Sequence, residues 1–360
     1  MNGTLLKTHS SSEQLTLWLF SRSADFWVAC GGASVGLLAA ALVVHWHGDR
    51  ELNGLDLVLS ELHLGATYGA IMQRRLWQRR QVDVVLVPLL ILALTYALSM
   101  GGQTVLLTSI AMYAAVWHRG RQSLGVARFY QRAMGGPVSQ AHDLLFRGAV
   151  YLPMLAATLA YTYLAPTEYE GESYFALNSN EKITSIIGLA AVAWVTAYLA
   201  WVYWQSRCRR LDSVNENAWL AIHPGEWWVV LAHAVGFASG YALGASNASF
   251  LLVLAVHHEV QYLYFTYAMA RRPAKHYRCE PVIDPALKSP ESKTSDKARS
   301  EFRTEIEHAG SFLMWPIIGF VGAVVGSWSA LEWLVPLGMG GLFCHYWLDG
   351  RIWTRRSFGN

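Results

Sequence analysis

Charge is the first thing this sequence is short of. Asp, Glu, Lys and Arg make up 15% of its 360 residues and hydrophobic residues 53%, where a soluble protein carries about 25% charged residues. That shortage excludes a water-soluble globule and implies a chain that lives in a membrane. Cysteine is scarce as well. Cys30, Cys208, Cys279 and Cys344 form no C-x-x-C pair and no zinc-like spacing, so free thiols are expected and no disulfide framework. From Asn2 to Gln14 the chain is polar and lacks the basic, apolar and small-residue regions of a cleaved signal peptide. The first apolar span is therefore expected to act as the targeting signal. Absent too are a P-loop, a G-x-S-x-G elbow and a dinucleotide-binding glycine fingerprint. His258-Glu259-Val-Gln-Tyr262 begins like a zinc-protease helix, but tyrosine stands where that motif needs its second histidine. With a net charge of only +3, no nucleic-acid partner is expected.

What the chain does have is long apolar runs, and a span needs about 20 such residues. The runs are about Phe26 to Val44, Leu55 to Met72, Val82 to Met100, Thr104 to His118, Leu144 to Leu164, Ile183 to Trp204, Trp227 to Leu243, Phe250 to Ala270, Phe312 to Leu334 and Gly338 to Trp353. They do not alternate polar with apolar, which excludes a β-barrel. Basic clusters at 74–80, 119–132, 207–210, 271–278 and 355–356 mark the cytoplasmic side. Threading the runs alternately puts every one of them inside and the acidic 168–172 stretch outside. The expectation is an all-α polytopic membrane bundle of about ten transmembrane helices, both termini cytoplasmic. It forms a single membrane domain over residues 1–360, in which the polar stretch 272–310 is a cytoplasmic loop between the eighth and ninth helices.

Within these runs lie histidines, and ionisable groups inside a membrane are costly and face the bundle interior. At a rise of about 1.5 Å per residue, His63 stands roughly 16 Å from Arg74, His345 about 15 Å from Arg355 and His258 about 20 Å from Arg271. His118 adjoins the arginines that follow it. Four helices thus bring a histidine to the cytoplasmic half of the bilayer, while His45 and His47 fall on the other side. A second regularity is the residue one turn on: Thr67 after His63, Gln122 after His118, Gln261 after His257, Tyr262 after His258 and Asp349 after His345. Residues four apart share a helix face, so each imidazole has a ligating or orienting neighbour. Histidines with one carboxylate suit iron, zinc, manganese or copper, as one ion or two. His63, His118, His257 or His258, and His345 are expected as ligands. Asp349 is expected as a ligand or an orienting carboxylate, and Gln122 and Gln261 as supporting polar groups. The roles of His142, His233, Glu61 and Glu259 stay open between ligand and partner. Arg119, Arg121 and Arg128 read as inside-positive anchors, Arg121 and Arg128 alternatively as an anion site.

The segments starting at His63, Trp117, His257 and His345 resemble, in order and spacing over most of the chain, those of a group of bacterial multi-histidine polytopic membrane proteins. The resemblance implies that His63, His118, Gln122, Gln261, His345 and Asp349 act together in a bacterial inner membrane; it supplies no substrate. To membrane di-iron hydroxylases and desaturases the similarity is one of general chemistry, since only the adjacent pair His257-His258 echoes their H-x-x-H-H clusters. The function expected is a metal-dependent membrane oxidoreductase with iron, acting on a lipid or other hydrophobic substrate with a redox partner. Alternatives are a proton- or metal-ion-coupled transporter, a zinc-dependent hydrolase and a haem b protein.

Overall fold

The computed structural model describes residues 18–32, 53–73, 76–133, 139–169, 172–212, 222–245, 249–271 and 335–352. Over these the chain is helical apart from a two-residue antiparallel ladder, β1 (Glu168–Tyr169) against β2 (Glu172–Ser173). In chain order the helices are α1 (Arg22–Ala24), α2 (Asn53–Gln73), α3 (Leu76–Arg79), α4 (Val87–Met100), α5 (Thr104–Ala133), α6 (Gln140–Leu164), α7 (Glu181–Asp212), α8 (Pro224–Gly244), α9 (Ser249–Arg271) and α10 (Val335–Ile352). Wider π turns run over Asp25–Ala29 and Val82–Leu86. Among the described residues, four helical stretches are long and apolar enough to cross a membrane: Val82–Met100, Gln140–Leu164, Glu181–Gln205 and Pro224–Gly244.

One expectation changes. The run expected to start a span at Phe26 is interrupted, because the turn Asp25–Ala29 ends at Cys30 and Gly31 takes φ +80°. A Cβ at Gly31 would lie 2.5 Å from the Ala232 Cβ and 2.7 Å from the His257 ring. A left-handed backbone pressed this close to its neighbours admits only glycine. The helix that carries the fourth apolar run continues through the basic stretch after His118, α5 running unbroken to Ala133, since that stretch holds no proline. The rest of the first run, the ninth run and the polar stretch 272–310 lie outside the described residues.

The chain divides into two compact units, Met1–Asp56 with Thr108–Phe265, and Leu57–Leu107 with Thr266–Asn360. In the first, α6 packs along both α7 and α8 around a core that includes Met112, Met154, Tyr161, Phe237, Tyr241 and Leu254. Gly148 sets how near α7 comes: a Cβ there would fall 2.0 Å from the Trp194 Nε1, whose N–H donates to the Leu145 carbonyl at 3.0 Å. Two buried carboxylates tie the chain ends of this unit together. Asp25 accepts from the backbone N–H of Leu19 and Phe20 and from the hydroxyls of Tyr130 and Tyr264. Glu226, in the first turn of α8, accepts from His142 Nε2 at 2.7 Å, Tyr198 OH at 3.0 Å and Gln131 Nε2 at 3.4 Å. The His142 ring stacks on Trp201.

In the second unit, α10 lies along α4. Gly340 admits Leu92, the Cys344 thiol reaches the Pro88 carbonyl at 3.3 Å, and Trp347 Nε1 donates to the Asp83 carbonyl at 2.9 Å. Ala70, Ile71, Leu76 and Leu348 form its small buried cluster. α4 and α7 leave most of their apolar surface open, with Leu90 65% and Leu189 71% exposed. A contiguous apolar face of this extent needs a non-aqueous neighbour.

His223 caps α8 with its ring, Nδ1 accepting from the Gly225 N–H at 3.0 Å. Burial between Trp18 and Tyr130 pushes its pKa down to about 4 from the ordinary 6.5. The folded chain therefore keeps His223 neutral where the unfolded chain would protonate it. Its stabilising contribution is complete above pH 6.5 and is lost as pH falls toward 4. His223→Asn keeps a capping acceptor and removes the titration. The fall in thermal midpoint between pH 7 and 4.5 should be visibly smaller in that variant, measured in detergent; an equal fall would refute the assignment.

Candidate metal centre

α2 carries His63 and Thr67 one turn apart, and α10 carries His345 and Asp349 one turn apart, so each pair points from a single helix face. In the second unit the two faces meet. His63 Nε2 stands 2.7 Å from His345 Nε2. Thr67 Oγ1 lies 2.8 Å from His345 Nδ1 and donates to Asp349 Oδ1 at 3.0 Å. Asp349 Oδ2 is 3.6 Å from His345 Nε2. All four side chains are buried, Thr67 completely.

Thr67 decides the tautomer. A hydroxyl has one proton to give, and the Asp349 carboxylate can only accept. Thr67 therefore accepts from His345, which must carry its proton on Nδ1. The lone pair of His345 is left on Nε2, the atom that faces His63. This is how a protein prepares an imidazole to bind a metal: the second ring nitrogen is held by an outer partner, which fixes tautomer and ring orientation. Adjacent ligands at bonds of about 2.05 Å sit roughly 2.9–3.3 Å apart, so the two imidazole nitrogens need separate by only a few tenths of an ångström to share an ion. The ligand atoms of His63, His345 and Asp349 all lie within 4.8 Å of one another. A buried group with two imidazoles and a carboxylate could hold a metal ion. Thr67→Val removes the hydroxyl while keeping the shape; metal affinity should fall about 10–100-fold, read by competition with a chelator of known strength.

The first unit holds the other histidines expected at this depth. His118 on α5 and His258 on α9 meet edge to face, ring centroids 4.9 Å apart. Gln122 donates to the His258 carbonyl at 2.7 Å and to Gln261 Oε1 at 3.1 Å, and Gln261 donates to the Ala29 carbonyl at 2.7 Å. The two amides thus form a strap from α5 through α9 to the turn after Asp25. Gln122 Oε1 is buried and has no hydrogen-bond partner among the described residues.

The adjacent histidines part company. His258 turns to His118, and His257 lies beneath Gly31. His233 is hydrogen-bonded to the Val150 carbonyl at 3.0 Å and His142 to Glu226 at 2.7 Å. Glu259 is buried, and the Glu61 side chain lies outside those described. Arg128 is engaged by Asp143 and Gln131, Arg119 donates to Tyr241 OH at 3.3 Å, and Arg121 covers the Trp117 ring. Asp143 is shared between Arg128 and Arg147.

Sequence reasoning passed over Thr67 as the residue linking histidine to carboxylate, although its i+4 spacing from His63 was a visible signal. It had no signal for Asp25 or Glu226, whose partners come from distant helices. No family model, curated protein or solved structure matches this chain.

Proposed function

We propose that this chain is a bacterial inner-membrane metalloenzyme of about ten transmembrane helices, both termini cytoplasmic, which oxidises a lipid or other hydrophobic substrate with dioxygen. The observation that carries the reading is the buried set His63, His345 and Asp349, with Thr67 holding the proton of His345 on the ring nitrogen that faces away from His63. Iron bound by such a set, with positions left open, would supply oxygen activation. The chain's own part is to hold the donors, to keep the His345 lone pair aimed at the shared position, and to exclude water from a reactive site. In the reaction one oxygen atom enters a C–H bond of the substrate. The other leaves as water, with two electrons from a redox partner and two protons.

Two imidazoles and a carboxylate are also the ligand set of hydrolytic zinc enzymes, and this donor set favours a zinc-dependent membrane hydrolase as the second reading. Elemental analysis of the purified protein with its visible spectrum separates the two. Iron without a haem band, together with substrate-dependent oxygen uptake, supports the oxidase; zinc with no oxygen uptake replaces it with the hydrolase. A preparation holding less than about 0.2 transition-metal ions per chain would remove both, since structural and catalytic sites of this kind retain their metal on purification.

A further inference from the structure

A cavity of about 430 Å³ opens in the first unit, where the turn after Trp18 meets the start of α8. That is within the 300–1,000 Å³ range of small-molecule sites. Its walls are Trp18, Phe26, Pro224, Trp228 and the buried Cys30. Arg22 and Ser23, both exposed, complete the lining.

The walls are held in place before any ligand arrives. Asp25 accepts from Leu19 and Phe20, which fixes the strand of chain carrying Trp18. Ser21 Oγ caps Ala24. Phe26 packs edge to face on Trp228 at 4.9 Å, and Trp18 on His223 at 4.4 Å. Arg22, by contrast, has no acidic partner among the described residues, and its guanidinium is free. The lining is aromatic and apolar, with the exposed Arg22 and Ser23 as its polar residues.

We propose that this cavity binds a single-chain amphiphile with an anionic headgroup, the alkyl chain lying against the Trp18, Phe26 and Trp228 rings and the carboxylate or phosphate on Arg22 with Ser23. Aromatic rings take an alkyl chain without needing hydrogen bonds, and a guanidinium pairs with carboxylate or phosphate oxygens through two parallel N–H donors. In the topology proposed above, residues 18–30 and 224–228 stand at the cytoplasmic ends of their spans, which puts the cavity at headgroup level. The site is independent of the metal centre.

The test uses the purified full-length protein in detergent with a fatty acid carrying a photoactivatable diazirine on its tail. Cross-linking should map to peptides covering residues 18–30 and 224–228. Oleate or lysophosphatidic acid should displace the probe at a concentration about tenfold below that of monoolein, which has the chain without the charge. Whichever of the two displaces better identifies carboxylate or phosphate as the preferred headgroup. Arg22→Gln, at an exposed position, should abolish the preference for the anionic competitors while monoolein competes as before. Trp228→Ala should weaken labelling by every probe. Equal displacement by oleate and monoolein in the unaltered protein would overturn the proposal and leave an aromatic belt wetted by bulk lipid. Cross-links confined to other segments would overturn it as well.

Discussion

His345→Ala purifies without its transition metal: occupancy drops from about one ion per chain to below about 0.2. The expectation follows from geometry. His345 supplies the lone pair that faces His63, and its other nitrogen is the group that Thr67 holds. Deleting the ring removes a donor and also the group that gives its Nδ1 proton to Thr67. Of the set His63, His345 and Asp349 two donors are then left, fewer than the tetrahedral or octahedral coordination of these metals uses. Asp349→Asn keeps an oxygen for Thr67 but loses the charge, and its occupancy should fall between the two. A second readout guards against a variant that merely misfolds. Metal that binds only the folded chain raises its thermal midpoint in proportion to the logarithm of metal concentration. The unaltered protein should show this rise, and His345→Ala should show none at the same metal concentrations while still eluting as a monodisperse species. Equal occupancy in the two proteins would remove His345 from the ligand set.

Asp25→Ala should cost the most stability of any single substitution in the first unit, at least about 3 kcal/mol. Four donors converge on this fully buried carboxylate. Alanine would orphan all four, and each buried unsatisfied group costs roughly 1–3 kcal/mol. Partial relaxation keeps the sum below the arithmetic maximum. Tyr264→Phe removes one donor and leaves the carboxylate three, so it should cost only about 1 kcal/mol. Asp25→Asn should fall between, because its amide turns two N–H groups toward hydroxyls that also donate. Thermal midpoints in detergent for the three variants give the order Ala, Asn, Tyr264→Phe from least to most stable. A midpoint for Asp25→Ala within a degree of the unaltered protein would show that the segment around Trp18 contributes nothing to the fold.

The helices were legible because their signal is local. Val82–Met100 reads as an apolar run and is one, and the start of α9 at Ser249 is one residue from the sequence reading. The pairing of His345 with Asp349 was legible for the same reason, since four residues on a helix fix a shared face without knowledge of any neighbour. Gly31 was not. Its φ of +80° and the closeness of Ala232 and His257, which come from elsewhere in the chain, have no local signal in the sequence. The separate directions of His257 and His258 escaped as well: adjacent residues on a helix always diverge, but which of them meets His118 depends on how α5 lies against α9. Glu226 lies just before the apolar run that begins at Trp227. Nothing in its surroundings announces that His142, Tyr198 and Gln131 will come to it from three other helices.

That last arrangement bears on how the protein is made. Glu226 and His142 are 84 residues apart, so α6 is synthesised and inserted well before the carboxylate that its histidine needs. A buried acid whose partner is missing is destabilising by about 3–5 kcal/mol, and helices in a bilayer generally insert singly before they associate. Until α8 docks on α6, His142 and Glu226 stand, in the proposed topology, at the cytoplasmic ends of their helices, where water and headgroups can meet them. The pair therefore closes only once both helices are in place, and a chain stalled before residue 226 lacks it.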